Sequence, residues 1–242
     1  MIPTLASITL RGLLNRRRTV LLALIGALLL LIAVLSRLSE PTDAEAAEFT
    51  GRLLADFGIG VFLPLVAVII GTAAIGSELE DGTLVYLLAK PIPRIVIVAV
   101  KLVVAWLVVL VLTVPAIVLA GIAGTGGNAE LGVAYGAAAV VAGAEYTAVF
   151  LALSLVTSRA LVVGLAYVVV WEGVVAALFA GTRVVSVRQH ALAVAEAFGA
   201  EGAVPADLSL VAGLGMAALI SAIGFVIAVR RLERVELRGE TG

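Results

Sequence analysis

Six runs of apolar residues, each long enough to cross a lipid bilayer, decide what this chain can fold into. A hydrocarbon core about 30 Å thick takes about 20 helical residues to cross. Thr19–Ser36, Leu53–Gly76, Ile95–Ile122, Leu131–Thr157, Ala160–Ala180 and Ser209–Val229 each meet that requirement. Inside lipid a helix satisfies its own backbone hydrogen bonds, and it tolerates Pro64, Pro115 and scattered glycines when neighbours cover the freed groups. The expected fold is therefore all-α: a single polytopic membrane domain over residues 1–242, with six transmembrane helices. Composition agrees. Of the 242 residues 62% are apolar and only 14% charged, against about half and about a quarter in soluble domains. That excludes a soluble enzyme, a disordered tail and a disulfide-stapled secreted domain. Without cysteine there is no thiol catalysis, and with His190 as the one histidine there is no multi-histidine metal site.

Six spans put both termini on one side, and the charges say which. Arg11, Arg16, Arg17, Arg18, Lys90, Arg94, Lys101, Arg159, Arg230, Arg231, Arg234 and Arg238 fall on the side of the termini, twelve of the sixteen basic residues. The opposite connections carry eight acids, from Glu40, Asp43, Glu45 and Glu48 to Glu130, Glu196, Glu201 and Asp207. Basic residues concentrate on the cytoplasmic side of membrane proteins, so the termini are expected there. Ala44-Glu-Ala46 mimics a signal-peptide cleavage site, but it lies well past the first apolar run and among acids, so an uncleaved first span is expected. Ahead of that span, Ile2, Leu5, Ile8 and Gly12/Leu13 recur at helical spacing beside Arg11 and Arg16–Arg18. Residues 1–18 thus suit an amphipathic helix along the inner leaflet, or a merely basic flank.

The connection between spans two and three carries the densest pattern. Ser77 and Glu80 have capping-box spacing, which predicts a helix start where span two leaves the membrane. Gly82 permits a sharp turn and Thr83 can cap a second short helix, on which Leu84, Leu87 and Leu88 share one face. Pro91 and Pro93 then stop it. An apolar face in a loop with no core of its own must dock on something else.

Gly76-x-Glu78-x-Glu80-x-Gly82-Thr83-Leu84-x-x-Leu87-Leu88-x-x-Pro91-x-x-Arg94, between the second and third of six spans, resembles the membrane subunit of type 2 ABC exporters. The branch it looks like includes the permeases of sodium extrusion and of copper-site maturation. The basic amphipathic N-terminus, Trp171-Glu172 and Ser186-Val-Arg-Gln-His190 agree with that resemblance. It implies that Glu78, Glu80, Gly82, Thr83, Leu84, Leu87, Leu88, Pro91 and Arg94 form a cytoplasmic coupling helix seated on an ATP-binding cassette ATPase. It also implies two copies of that ATPase, a second copy of this permease, and a prokaryotic cytoplasmic membrane. The chain itself contains no G-x-x-x-x-G-K-[ST] phosphate loop. It is expected to be no enzyme and to bind no cofactor, ATP and Mg belonging to the partner. Nothing points to nucleic acid.

Two acids stand deep in the spans. Glu145 lies 14 residues into span four and Glu172 12 residues into span five from the opposite side, about 21 and about 18 Å at the helical rise. Buried ionisable groups in a bilayer are candidates for function. They line a pathway, share a proton or bind a cation; alternatively they accept bonds from neighbours such as Tyr146, Thr147, Ser154 or Tyr167 and fix packing. Lys101 is expected to snorkel as an anchor and Asp56 to be solvated. Between spans five and six, Val184, Val187, Ala191, Val194 and Phe198 follow helical spacing opposite Arg188, Gln189 and Glu196. This predicts an amphipathic helix at the outer surface or dipping between subunits, with His190 on or near its polar face. Gly132-x-x-x-Gly136 and Ala139-x-x-x-Gly143 would allow close helix approach in span four. Two other functions remain in view: an ion- or proton-coupled transporter titrating Glu145 and Glu172, which would show inverted repeats, and an intramembrane enzyme, for which the ligands and an in-span histidine are missing.

Overall fold

The computed structural model describes residues 2–14, 16–39, 42–82, 92–200 and 204–239. Thr83, Leu84, Leu87, Leu88 and Pro91 of the expected coupling helix lie outside the described residues. Six helices are long and apolar enough to cross a membrane: Arg17–Ser39, Asp43–Leu79, Arg94–Gly124, Glu130–Val156, Ala160–Leu178 and Leu210–Arg234. No strand occurs among the described residues. These six helices follow the six expected runs in order; span two begins ten residues earlier than expected, at Asp43, and span five ends two residues sooner, at Leu178.

In chain order, α1 (Ile2–Leu13) is a separate short helix and α2 (Arg16–Ser39) carries span one. Span two is built from α3 (Asp43–Leu53), a π-helical stretch Leu54–Phe62 and α4 (Leu63–Glu80). The Thr42 hydroxyl caps α3 by accepting the Glu45 N–H at 3.3 Å. Pro64 explains the wide turn before α4: it has no N–H to donate, and its ring crowds the carbonyl four residues back. Span three is α5 (Arg94–Gly124), entered from an extended Pro93, and span four is α6 (Glu130–Val156). Between them Gly126 and Gly127 take φ of 71° and 110°, which side chains disfavour. Span five joins α7 (Ala160–Ala166), a second π-helical stretch Tyr167–Val175 and α8 (Ala176–Leu178). After a 3₁₀ turn over Ala180–Val185 come α9 (Val187–Ala197) and α10 (Leu210–Gly239), which carries span six.

Span four is the axis of the bundle. Its most apolar stretch is 67% buried, against 22% for span one and 17% for spans five and six. It packs on spans two, three and six and on α9. Lipid tails are as apolar as leucine, so close backbone approach must supply much of this association. The first small-residue pair of span four does that work. A Cβ on Gly132 would stand 2.6 Å from the Val118 carbonyl, and one on Gly121 would stand 2.4 Å from the Gly132 Cα. Gly132→Leu is expected to lower stability by about 3 kcal/mol. Gly12→Ala, where nothing lies within 4 Å, should be neutral or raise it by up to about 1 kcal/mol. Thermal unfolding of the purified chain in detergent checks both.

Two local expectations fail here, at Ser77 and at α9. Ser77 does not start a helix: its hydroxyl donates to the Ala73 carbonyl at 2.8 Å, and α4 runs on through Glu80. In α1 the buried stripe is Leu5, Thr9 and Leu13, set against spans two and three, while Ile8 is turned out. And α9 does not lie on a surface. Val187, His190, Ala191, Leu192, Ala193, Val194 and Ala195 are all buried, against span four and span six.

Candidate functional site

Two polar constructions stand within the apolar bundle, one toward each end. At the arginine-rich end, Lys101 is wholly buried rather than snorkelling. Its ammonium donates to the Ala74 carbonyl at 2.8 Å and to Glu78 Oε1 at 2.7 Å. An ammonium so enclosed needs both partners, because an unpaired charge there would be prohibitively desolvated. Glu78 ends span two and Lys101 stands two turns into span three. The pair therefore straps together the two helices between which residues 83–91 run. Gly82 has φ of 67°, the left-handed turn its sequence position predicts. Arg94 opens α5 on the other side of that connection.

The second construction joins the two deep acids to α9, and its logic is that of a helix held at its first turn. Ser186 is the N-cap of α9, its hydroxyl oxygen accepting the Gln189 N–H at 3.3 Å. The same hydroxyl donates its proton to Glu172 Oε2 at 2.5 Å, and the Val187 N–H donates to Glu172 Oε1 at 2.9 Å. Tyr167 adds a third donor at 3.2 Å. A carboxylate at a helix N-terminus satisfies amides left over by the helix and complements its dipole. Glu172 sits in the π-helical stretch of span five, so that span caps α9 from outside.

One turn further, His190 and Glu145 meet with both side chains fully buried. The imidazole Nδ1 is 3.0 Å from Glu145 Oε1 and 3.1 Å from Oε2, while Nε2 faces the Val184 carbonyl at 2.9 Å. A carbonyl only accepts, so Nε2 carries a proton. The contact between Nδ1 and the carboxyl group then holds one more, either as imidazolium and carboxylate or as neutral imidazole and carboxylic acid. Both forms have no net charge, which is how a pair this deep escapes the Born penalty of a lone ion.

Asp56 and Arg188 complete the attachment. Asp56, in the π-helical stretch of span two, pairs with Arg188 of α9. The aspartate remains 65% exposed, so it is solvated as expected but also engaged. Beyond the helix, Arg183 Nη1 donates to Asp207 Oδ2 at 2.8 Å, and the Ala206 N–H donates to Glu196 Oε2 at 2.9 Å. Of the hydroxyls expected beside the acids, only Tyr167 reaches one. Thr147 and Ser154 bond carbonyls of their own helix, and the buried Tyr146 hydroxyl has no partner among the described residues. No group of three or more metal-ligating side chains occurs among the described residues.

His190 is the main correction to the sequence reading, which placed it on or near a polar face. The signal was available. Positions 187, 190, 191 and 194 are spaced three, four and seven apart, so His190 shares the apolar stripe of Val187, Ala191 and Val194. An ionisable residue within such a stripe calls for a partner, and Glu145 was the unassigned acid.

A family profile described as ABC-2 family transporter protein matches residues 14–182. The chain belongs to that family. No curated protein sequence matches it. The ABC-2 protein is thus a multi-pass membrane protein of a transporter family. The matched stretch takes in spans one to five with Glu78, Glu145 and Glu172, and stops short of Ser186 and His190. In this family the membrane subunits work with ATP-binding partners.

Proposed function

We propose that this ABC-2 subunit, paired with a second copy, forms an export pathway driven by two ATP-binding cassette ATPases docked on the segment between spans two and three. In this reading the arginine-rich end faces the cytoplasm, where Glu78, Glu80, Gly82, Thr83, Leu84, Leu87, Leu88, Pro91 and Arg94 receive the ATPase. The observation that carries it is family membership combined with a chain that has no phosphate-binding loop of its own. The energy must then come from elsewhere, and the segment whose sequence spacing puts Leu84, Leu87 and Leu88 on one helical face is where it enters.

The Glu78–Lys101 strap makes spans two and three answer as one body to a push on their connection. Span four, enclosed by its neighbours, carries the displacement inward. At the far end, Glu145 and Glu172 act as positioning residues for α9, and a shift of spans four and five against each other loosens their hold on it. A gate on that side is what export needs. Coupled proton movement is a second reading, favoured by the one proton between His190 and Glu145. Against it stand the three donors that engage Glu172 and tie it to the helix end.

Co-expression with an ATP-binding cassette chain and purification of the complex tests the division of labour. The complex should hydrolyse ATP and the ABC-2 chain alone should not. ATP hydrolysis by the purified chain alone would refute it.

A further inference from the structure

At the arginine-rich end, spans one, two and five leave a cleft of about 890 Å³ between them. Arg17 and Arg18 of span one stand on one side and Arg159, in the short connection between spans four and five, on the other. Its mouth is apolar: Leu21, Leu161 and Val162 are 63%, 49% and 65% exposed, on helices long and apolar enough to cross a bilayer. The hydroxyls along it divide by role. Thr72, Ser77 and Ser154 commit their protons to carbonyls of their own helices, Val68, Ala73 and Leu151, and so offer acceptor oxygens. Thr157 accepts the Arg159 N–H at 3.2 Å and keeps its own proton to donate.

Such a lining selects for a particular chemistry. Guanidinium groups take a phosphodiester, often through two parallel bonds. Acceptor hydroxyls beside them take the O–H groups of a neutral polyol better than a second anion. Exposed leucine and valine at the mouth take acyl chains. We propose that this cleft binds an anionic, hydroxyl-bearing phospholipid headgroup of the phosphatidylglycerol type, entering sideways from the leaflet at the arginine-rich end. The headgroup bridges span one to the connection between spans four and five, two elements that flank the end of span two. Basic pockets between membrane helices serve lipid headgroups in this way. The inference concerns a site on this chain alone and does not depend on ATP-driven transport.

The full-length chain, purified in a neutral detergent, is offered an equal mixture of phosphatidylglycerol and phosphatidylcholine with the same acyl chains. Native mass spectrometry reads the lipid retained. The intact chain should retain phosphatidylglycerol preferentially, and Arg18→Gln with Arg159→Gln should lower that preference by at least about tenfold, the worth of one charge-assisted contact. Arg230→Gln with Arg231→Gln removes the same charge from the end of span six and should leave the preference intact. If the first double variant does not purify, Arg159→Gln alone serves, since that residue is exposed and lies outside the packed helices. It should lower the preference at least about threefold, a share of one such contact. An unchanged preference in the cleft variants, or an equal loss in the span-six variant, overturns the proposal. Displacement of the lipid by millimolar inorganic phosphate would also overturn it, by showing that the cleft reads a free anion rather than a headgroup with its chains.

Discussion

His190→Leu is expected to lower the stability of the ABC-2 chain by about 3 kcal/mol, the upper end for leaving a buried polar group without its partner. The loss follows from the proton count. With the imidazole gone, the Glu145 carboxyl faces apolar neighbours and can neither stay ionised cheaply nor find another donor within α9. Glu145→Leu leaves the complementary orphan, an Nδ1 lone pair with no partner, at about 1–3 kcal/mol. The double variant Glu145→Leu/His190→Leu should be less damaging than the sum of the two, because it removes both orphans together. Glu145→Gln should be mild: a glutamine amide can donate to Nδ1 of the neutral ring while Nε2 keeps its bond to Val184. A protein that titrates this pair for transport would lose coupling in Glu145→Gln, whereas one that uses it to hold α9 would not.

The native sequence has no cysteine, so a single reporter is clean. Ala195→Cys lies on the buried side of α9, 1% exposed, and a membrane-impermeant maleimide should label it slowly. In the His190→Leu background labelling should accelerate by about 100-fold, if it follows local opening of the helix. Equal rates in both backgrounds would show that Glu145 and His190 do not hold α9 in place.

How much of this was legible in the sequence depended on the range of the interaction. Spans were visible because the bilayer imposes a length and a composition on every one of them. The Gly82 turn and the Gly132 crossing were visible because each is set by one residue type. Ser77 misled because capping-box spacing is local, whereas the apolar run of span two continues past it; inside a helix a serine bonds the carbonyl one turn back instead. The π-helical stretches leave no composition signature, although Pro64 marks the end of one. Lys101 and Glu78 were read separately because they stand 23 residues apart, yet a hairpin of two spans folds those positions to the same depth. Glu172 found its donors in Ser186 and Val187, across a segment whose apolar spacing suggested a surface. Pairing across space was the missing information, and every missed contact at the deep acids is of that kind.

The second large effect belongs to Leu87. An aspartate there puts a charge in the middle of the apolar face that the sequence places between spans two and three. Truncating or charging the centre of an interface commonly removes about 2–4 kcal/mol, or roughly 30- to 1,000-fold in affinity. The substitution lies outside all six spans, so insertion, elution profile and the Glu78–Lys101 strap should be unaffected. Val211→Asp, on an exposed surface at the start of span six and at the opposite end of the bundle from that connection, provides a charge-matched comparison. Its effect should fall on membrane stability and not on the partner.

The most direct measurement is therefore the dissociation constant of the ATP-binding cassette partner for the ABC-2 chain in lipid nanodiscs, with and without Leu87→Asp. Docking through this segment predicts tight binding to the unaltered chain and at least about 30-fold weaker binding to the variant, with Val211→Asp unchanged. Equal affinity for the unaltered chain and Leu87→Asp would contradict it, and with it the claim that the stroke of a separate motor enters the bundle between spans two and three.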